Sequence, residues 1–253
     1  MFLVERRHAI LDQLDHRGRV SVSELSRLLG VSEVTIRTDL KALADQKLVI
    51  RTHGGAVPVS GGRNELALAL RRQRQVQEKS RIGAACADLI SNDSAIVLDS
   101  SSTALSIVHH LKDRHRLTIV TNSLVVAQET LDAPGVSVVM PGGNLHPETA
   151  SLIGTAGFEP LRRFNIQQGF FGAHGINLPE GLTDVSVDEA DLKRELVSMC
   201  RQKIAVVDAT KWGQVGLASF ARVGEFDCII TDSGAPADLV DQVSGLGVEV
   251  LTV

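Results

Sequence analysis

The sequence predicts an α/β protein in two parts, a small amino-terminal domain of helices with a β-hairpin and a larger domain with a mostly parallel sheet. Two observations lead to this prediction. From residue 79 onward, short apolar runs alternate with helical patterns, and the charge is unevenly divided along the chain. Residues 1–81 contain 15 Lys and Arg against 9 Asp and Glu, whereas residues 82–253 contain 11 against 21. The basic part is therefore attracted to a polyanion that the acidic part repels.

The composition of the 253 residues is that of a globular protein, with 43% hydrophobic and 22% charged residues. Collagen, coiled coil and disorder are excluded. No apolar run reaches the roughly 18 residues that span a bilayer, and Glu5 interrupts any signal-peptide core. Cys86, Cys200 and Cys228 have neither metal-site nor disulfide spacing. We therefore expect a cytoplasmic protein without cofactor, metal or membrane partner.

Three helices are predicted in the first 45 residues. A helical pattern over residues 6–15 ends at Gly18, where a left-handed residue is easily accommodated. Ser21 begins a second, short helix that ends at Gly30, and Ser32 caps a third. Two short helices joined by a tight turn are typical of a helix-turn-helix, whose second helix enters the DNA major groove.

The third helix leaves a polar, partly cationic stripe without a packing partner. Its apolar residues share one face, so the opposite face is exposed at helical spacing. We expect Arg37 and Lys41, with Glu33 and Thr38, to face the major groove.

The segment from residue 48 to Pro58 predicts a β-hairpin, because a β-branched run is followed by a Gly-Gly turn and a short returning run. This hairpin is the wing of a winged helix-turn-helix. Arg51 and His53 near its tip, together with Thr35, are expected to bind DNA phosphates. A three-helix packing module without a ligand is the alternative.

Three segments are predicted along the chain. Residues 1–58 form the winged helix-turn-helix, residues 59–78 form a linker with a connecting helix, and residues 79–253 form the larger domain. The connecting helix contains Arg71, Arg72 and Arg74. These arginines contact DNA or a second subunit, or, as the alternative, they form a solvated helix face.

Seven continuous apolar runs predict the strands of the larger domain. Runs of this kind separated by helices are typical of a parallel sheet that is covered on both faces. The strands are expected at residues 95–98, 117–120, 136–140, 169–171, 204–207, 228–230 and 248–251.

Polar or glycine-rich loops follow five of these strands, at the sheet edge where ligands bind. The loops contain Asp99, Ser100, Ser101, Ser102 and Thr103, then Asn122 and Ser123, then Gly142 and Gly143, then Gly172, His174, Gly175 and Thr183, and finally Lys211. Hydroxyl, amide and ammonium donors on one rim suit a small polyhydroxylated phosphoester. Taken singly, such residues are more often helix caps and turns.

Two stretches of the first domain carry a family resemblance: Val31-Ser32-Glu33-Val34-Thr35-Ile36-Arg37-Thr38-Asp39-Leu40 and Arg51-Thr52-His53-Gly54-Gly55-Ala56. They resemble the DNA-binding domain of DeoR-type bacterial transcription regulators. Thr38 departs from the pattern, because the family commonly has a basic or amide residue there. The resemblance implies a transcription regulator.

The larger domain is also similar to a part of this family, its sensor domain. The matching motifs are Asp99-Ser100-x-Ser102-Thr103, Thr121-Asn122-Ser123, Gly142-Gly143, Gly172-x-x-Gly175, Gly181-Leu182-Thr183, Glu189-Ala190-x-x-Lys193 and Asp208-x-Thr210-Lys211. The resemblance implies a fold similar to ribose-5-phosphate isomerase, oligomerisation, and a phosphorylated-sugar site that includes Glu189 and Lys193. Ser101 and His174 replace a glycine and an aspartate that the family usually has.

We therefore predict a repressor of a carbohydrate-metabolism operon that a phosphorylated sugar releases from double-stranded operator DNA. A homodimer or homotetramer is expected, because one head contacts too little duplex to compete with genomic DNA. The alternative is a sugar-phosphate isomerase with a DNA-binding head, in which Asp184, Asp188, Glu189 and Lys193 are the candidate groups. We expect no enzyme, because fold analogy alone does not establish catalysis.

Overall fold

The computed structural model describes residues 3–45, 49–58, 68–147 and 149–253. These residues belong to two units, Met1–Arg74 and Gln75–Val253, which are considered one at a time. Most of the predicted linker, residues 59–67, lies outside the described residues, so the boundaries at residues 58 and 78 stay predictions. No helix in the described ranges is long and apolar enough to cross a membrane.

The first unit has the predicted helices and hairpin. Its elements are α1 (Leu3–Arg17), β1 (Val20–Ser21), α2 (Val22–Leu29), α3 (Glu33–Asp45), β2 (Val49–Thr52), β3 (Gly55–Pro58) and α4 (Leu68–Gln73). The strands form an antiparallel sheet in the order β1-β3-β2, and Ile10, Leu25 and Ile36 are fully buried in the core. Strand β1 was not predicted. Gly55 permits its pairing, since a Cβ there would lie 2.0 Å from the Val20 carbonyl oxygen.

The helix ends in this unit follow from their capping residues. The Ser21 Oγ accepts from the Glu24 amide at 3.2 Å, and the Ser32 Oγ accepts from the Thr35 amide at 3.2 Å. Gly30 ends α2 at φ 64°, a conformation that costs glycine little. The turn between α2 and α3 is therefore encoded locally.

The second unit is an α/β domain. Its helices are α5 (Val76–Leu89), α6 (Ser102–Val108), α7 (Leu124–Glu129), α8 (Val187–Ser198) and α9 (Ala237–Ser244). Its strands are β4 (Ala95–Leu98), β5 (Leu117–Val120), β6 (Val136–Val139), β7 (Asn144–His146), β8 (Ser151–Ile153), β9 (Ile166–Phe171), β10 (Gly175–Asn177), β11 (Gly181–Asp184), β12 (Cys200–Val206), β13 (Ala218–Ala221), β14 (Cys228–Thr231) and β15 (Glu249–Thr252). Short 3₁₀ helices cover Glu159–Arg163, Ala209–Lys211 and Val223–Glu225.

The main sheet has the order β15-β14-β12-β9-β4-β5-β6, and every neighbouring pair in it is parallel. Each of its strands overlaps one of the predicted runs, so the predicted parallel sheet is confirmed. The chain progresses in one direction from β4 to β6 and in the other from β9 to β15. The crevice between the carboxyl ends of β4 and β9 is therefore the switch point where ligands of open α/β sheets bind.

Alternate residues of the strands enter different cores. Ile96 and Phe170 belong to a cluster with Ile82 of α5, whereas Val97 and Phe171 belong to another cluster that includes residues of α8. The three cysteines are buried, and burial raises the pKa of the Cys200 thiol to about 12.

Two small antiparallel sheets were not predicted, and one of them contains Gly175 and Thr183, which were expected in loops. Strands β10, β11 and β13 form one, and β7 and β8 form a hairpin. The loop prediction for residues 181–184 was wrong, because these residues form β11. Such strands of three or four residues have too little alternation to be detected by pattern.

Candidate functional site

The predicted reading stripe of α3 lies on its exposed face. Glu33, Val34, Arg37, Thr38 and Lys41 are all exposed, while Ile36, Leu40 and Leu43 are buried. The Arg37 Nη2 lies 2.6 Å from the Glu33 Oε2, and the Arg37 side chain is 54% exposed. An exposed pair of this kind stabilises the helix by only about 0.3–0.5 kcal/mol, so the guanidinium can exchange this partner for another.

The wing presents its predicted residues to solvent. Arg51 on β2 and His53 in the turn are exposed, and Gly54 completes the turn at φ 86°. Thr35 is half-buried, with its Oγ1 2.9 Å from the Ser32 Oγ.

A buried carboxylate on α3 was missed by the sequence analysis. Asp39 is 1% exposed, and it accepts from the Arg6 Nε at 2.6 Å and from the Arg7 Nε at 3.1 Å. Asp39 stood inside the family motif without an assigned role. Its burial could have been predicted from spacing, because Asp39 follows the buried Ile36 by three residues and therefore lies on the same face of the helix.

In the second unit, Asp99 joins the loops that follow β4 and β9. Its Oδ1 accepts from the Ser101 amide at 3.0 Å, and its Oδ2 accepts from the Gly172 amide at 3.0 Å. The Lys193 Nζ lies 3.0 Å from the same Oδ2. Asp99 is fully buried, so the switch-point crevice is held by a desolvated carboxylate.

Lys193 of α8 is the cation of this cluster. Its Nζ lies 2.6 Å from the Asp184 Oδ2 and donates to the Gly172 carbonyl at 2.8 Å. Burial opposes the charge of Lys193, but Asp184, Asp99 and the buried Glu189 outweigh burial and raise its pKa above the ordinary range. These carboxylates therefore favour the protonated form of the ammonium. Asp188 is exposed and is not part of this cluster.

Several predicted hydroxyls already have structural partners. The Ser101 Oγ accepts from the Ala104 amide at 3.0 Å, and the Ser123 Oγ accepts from the Val126 amide at 3.2 Å. The Thr183 Oγ1 donates to the Gly175 carbonyl and accepts from the Gly216 amide. Ser100 and Thr103 are buried and Ser102 is half-buried. Their contact with a ligand stays a prediction.

Asn122 has an acceptor that is buried without a partner in the described part of the chain. Its Nδ2 donates to the Leu152 carbonyl at 3.2 Å, which fixes the amide orientation and leaves Oδ1 without a donor. The adjacent Ser151 Oγ donates to the Glu189 Oε1 at 3.5 Å. Strand β8 thus lies between Asn122 and the Lys193 cluster, and an unsatisfied buried acceptor costs about 1–3 kcal/mol.

The predicted glycines make close approaches to the chain itself. A Cβ on Gly172 would lie 2.3 Å from the Ser101 Oγ, and a Cβ on Gly143 would lie 2.4 Å from the Ile153 carbonyl oxygen. Gly142 is exposed, and His174 and Lys211 are half-buried. Ligand contact by these residues is untested.

Two family models match the chain. The DeoR-like helix-turn-helix domain matches residues 6–60, and the DeoR C terminal sensor domain matches residues 74–233. The chain belongs to the DeoR family of transcription regulators. This DeoR-family chain consequently has a DNA-binding domain and an effector-binding domain, and it is a regulator rather than an enzyme.

Relatives match this DeoR-family chain over nearly its whole length. The HTH-type transcriptional regulator GolR of Listeria innocua is 35% identical over 99% of this chain and 98% of that relative. The HTH-type transcriptional repressor GlcR of Bacillus subtilis is 31% identical over 99% and 96%. The glycerol-3-phosphate regulon repressor of Escherichia coli is 30% identical over 93% of each chain.

Solved structures are more distant from the DeoR-family chain. Ribose 5-phosphate isomerase A from Methanocaldococcus jannaschii aligns with a TM-score of 0.40 and 14% identity, over 53% of each chain.

Proposed function

We propose that the chain represses a carbohydrate-metabolism operon and that a phosphorylated sugar releases it from the operator. Two relatives are repressors, the glycerol-3-phosphate regulon repressor of Escherichia coli and GlcR of Bacillus subtilis, which supports repression rather than activation. The observation that carries the effector half is the buried Lys193 cluster at the sheet's switch point, with the unsatisfied Asn122 acceptor on the other side of strand β8.

The exposed stripe of α3 supports base reading in the major groove. Arg37 is suited to the two acceptors of guanine, while Glu33 accepts from cytosine and Lys41 donates to base edges. Thr38 completes the stripe, and Ser32 begins the helix. On either side, Thr35, Arg51 and His53 are proposed to bind phosphates, which position the helix without reading sequence.

The Lys193 cluster supports a ligand that offers hydroxyl donors. Three carboxyl groups, from Asp99, Asp184 and Glu189, surround one ammonium, so this end of the crevice has an excess of negative charge. It therefore favours the hydroxyl donors of a ligand over its anionic phosphate. The phosphate is assigned to the loop at residues 100–103 and to Lys211. The proposed effector contacts are Asp99, Ser100, Ser101, Ser102, Thr103, Asn122, Ser123, Gly142, Gly143, Gly172, His174, Gly175, Thr183, Glu189, Lys193 and Lys211.

Release follows from linkage between two arrangements of a homodimer or homotetramer. In one arrangement the DNA-binding domains match two half-sites, and in the other they do not. An effector that binds the second arrangement more tightly weakens DNA binding by no more than the difference between its binding free energies for the two arrangements.

A three-step experiment tests the proposal. Fluorescence anisotropy identifies a duplex from upstream of the chain's own gene that binds the protein at low salt. A thermal-shift screen then identifies a sugar phosphate that raises the melting temperature, and that compound is titrated into the DNA complex. Failure to bind any upstream duplex contradicts operator binding, and a stabilising sugar phosphate that leaves the complex intact contradicts release.

The Ser102→Trp variant tests the assigned phosphate loop. The half-buried Ser102 lies in this loop, so a bulky side chain should abolish release while DNA affinity is unchanged. The exposed Ser198→Trp on α8 is the matched control and should respond like the wild type. Release of the Ser102→Trp variant at wild-type effector concentration would rule the loop out.

A further inference from the structure

Two arginines of α1 converge on one carboxylate of α3. The Nε atoms of Arg6 and Arg7 bind the two oxygens of Asp39 at 2.6 Å and 3.1 Å, so each guanidinium is fixed through its Nε. The side chain of Asp39 is 1% exposed, while those of Arg6 and Arg7 are 11% and 23% exposed. The carboxylate is therefore buried beneath two cations that reach the surface.

The pairing leaves positive charge and donors in excess. Each guanidinium has five N–H donors, of which the contact with Asp39 uses one. Within the described ranges, the Nη atoms of Arg6 and Arg7 have no hydrogen-bond partner, and none of them is a completely buried orphan. Two cations facing one carboxylate leave a net charge of +1, which fits a singly charged oxyanion.

The position of the pair beside α3 indicates which oxyanion. Asp39 follows Thr35 by four residues, so both lie on the same flank of the recognition helix. Thr35 is already proposed to contact a phosphate, and Thr38 of the exposed stripe is the neighbour of Asp39 along the chain. A DNA strand that follows this flank would meet Thr35 first and the arginine pair one helical turn later.

We propose that Arg6 and Arg7, positioned by Asp39, bind a phosphate of the DNA backbone beside the recognition helix. This inference rests on the proposed placement of α3 in the major groove. Arginine suits the role because its planar donors bind phosphate oxygens in a bidentate manner, while a buried ion pair alone contributes little to stability.

The salt dependence of DNA binding separates this role from a structural one. Anisotropy of a fluorescein-labelled random-sequence duplex is measured across a salt series, because phosphate contacts do not depend on sequence. Arg6→Gln and Arg7→Gln should each lower the slope of log affinity against log salt by about 0.9 per bound protomer. Between 50 and 200 mM salt, each variant should lose about 3.5-fold less affinity per protomer than the wild type loses.

Each single variant leaves Asp39 paired with the other arginine, so the fold should persist, and a cooperative thermal melt verifies this. Arg17→Gln is the matched control, because it removes the same charge from an exposed position on the same helix. Its slope should equal that of the wild type. Equal slopes for Arg7→Gln and Arg17→Gln would overturn the proposal.

A triple variant covers the case in which the single variants do not fold. Arg6→Met and Arg7→Met with Asp39→Leu replace the whole ion-pair cluster by apolar side chains and remove one net positive charge, as Arg17→Gln does. A slope below that of the wild type supports the phosphate contact, and a wild-type slope rejects it. If the wild type itself binds no duplex at low salt, the DNA-binding function fails; wild-type binding with unchanged variant slopes rejects this inference alone.

Discussion

The two candidate sites differ in how much of their chemistry is committed to the fold. On α3, Arg37 is about half exposed and makes an ion pair with its own helical neighbour. At the switch point, Lys193 is 4% exposed and binds groups from three other segments of the chain. If α3 reads DNA as proposed, Arg37 must exchange its partner, whereas an effector in the crevice would meet charges that also hold the loops together. We therefore expect function and stability to be separable at the exposed stripe of α3 and coupled at the Lys193 cluster.

The largest expected effect is that of Lys193→Met. Removal of the ammonium leaves the buried Asp99 and Asp184 without their cation, which should lower the free energy of unfolding by about 3–5 kcal/mol. Urea unfolding followed by the fluorescence of Trp212 measures this in the second unit. Trp212 is the single tryptophan and is buried, with its Nε1 bonded to the Thr231 Oγ1.

The exposed Lys112→Met in the same unit is the control and should change stability by less than about 0.5 kcal/mol. A loss below about 1 kcal/mol for Lys193→Met would show that the cluster is not coupled to the fold.

Arg37→Ala should weaken DNA binding and leave stability nearly unchanged, whereas Lys193→Met mainly lowers stability. DNA binding should weaken by about 1–3 kcal/mol because a base contact is lost, while stability changes by less than about 0.5 kcal/mol. Anisotropy with the operator duplex and a thermal melt measure the two quantities. Arg17→Ala, exposed on α1, should leave specific binding nearly intact. Unchanged affinity in Arg37→Ala would remove the residue from the reading stripe.

The sequence predicts what is local and misses what depends on distant partners. The runs at residues 95–98 and 117–120 coincide with β4 and β5, because continuous apolar stretches encode a covered strand. The cap at Ser21 was likewise readable from its neighbours, whereas Ser101 was predicted to contact a ligand and caps α6 in the structure. No local pattern could place Lys193 against Asp99, which is 94 positions earlier in the chain, or Arg6 against Asp39. The parallel sheet was therefore predictable, whereas the charges that meet at its edge were not, and a ligand site there stays a prediction.

Loss of one helix cap in each unit should have a smaller effect on stability than loss of Lys193. Ser21→Ala and Ser101→Ala each remove a side chain that accepts from a helix amide, at a cost of about 1 kcal/mol. The cost at Ser101 should be higher, because the Ala104 amide is buried and finds no water, whereas the Glu24 amide is exposed. Amide hydrogen exchange at Ala104 and Glu24 measures both. Equal acceleration at the two amides would contradict the ranking.

The smallest expected effect concerns one surface carboxyl group in each unit. A hydrogen bond from the Ser21 hydroxyl lowers the pKa of Glu24, and a hydrogen bond from the Arg116 guanidinium lowers the pKa of Asp93. Both carboxyl groups therefore stabilise the folded state above their ordinary pKa, and this contribution is lost as the pH falls through the lowered value. Salt screens charged partners and leaves a neutral hydroxyl unaffected. Added salt should therefore raise the pKa of Asp93 more than that of Glu24, for which Arg17 and Arg27 contribute less than the Ser21 hydroxyl. Carboxyl titration by NMR at low and high salt measures both shifts, and equal shifts would mean that charged neighbours, rather than Ser21, set the pKa of Glu24.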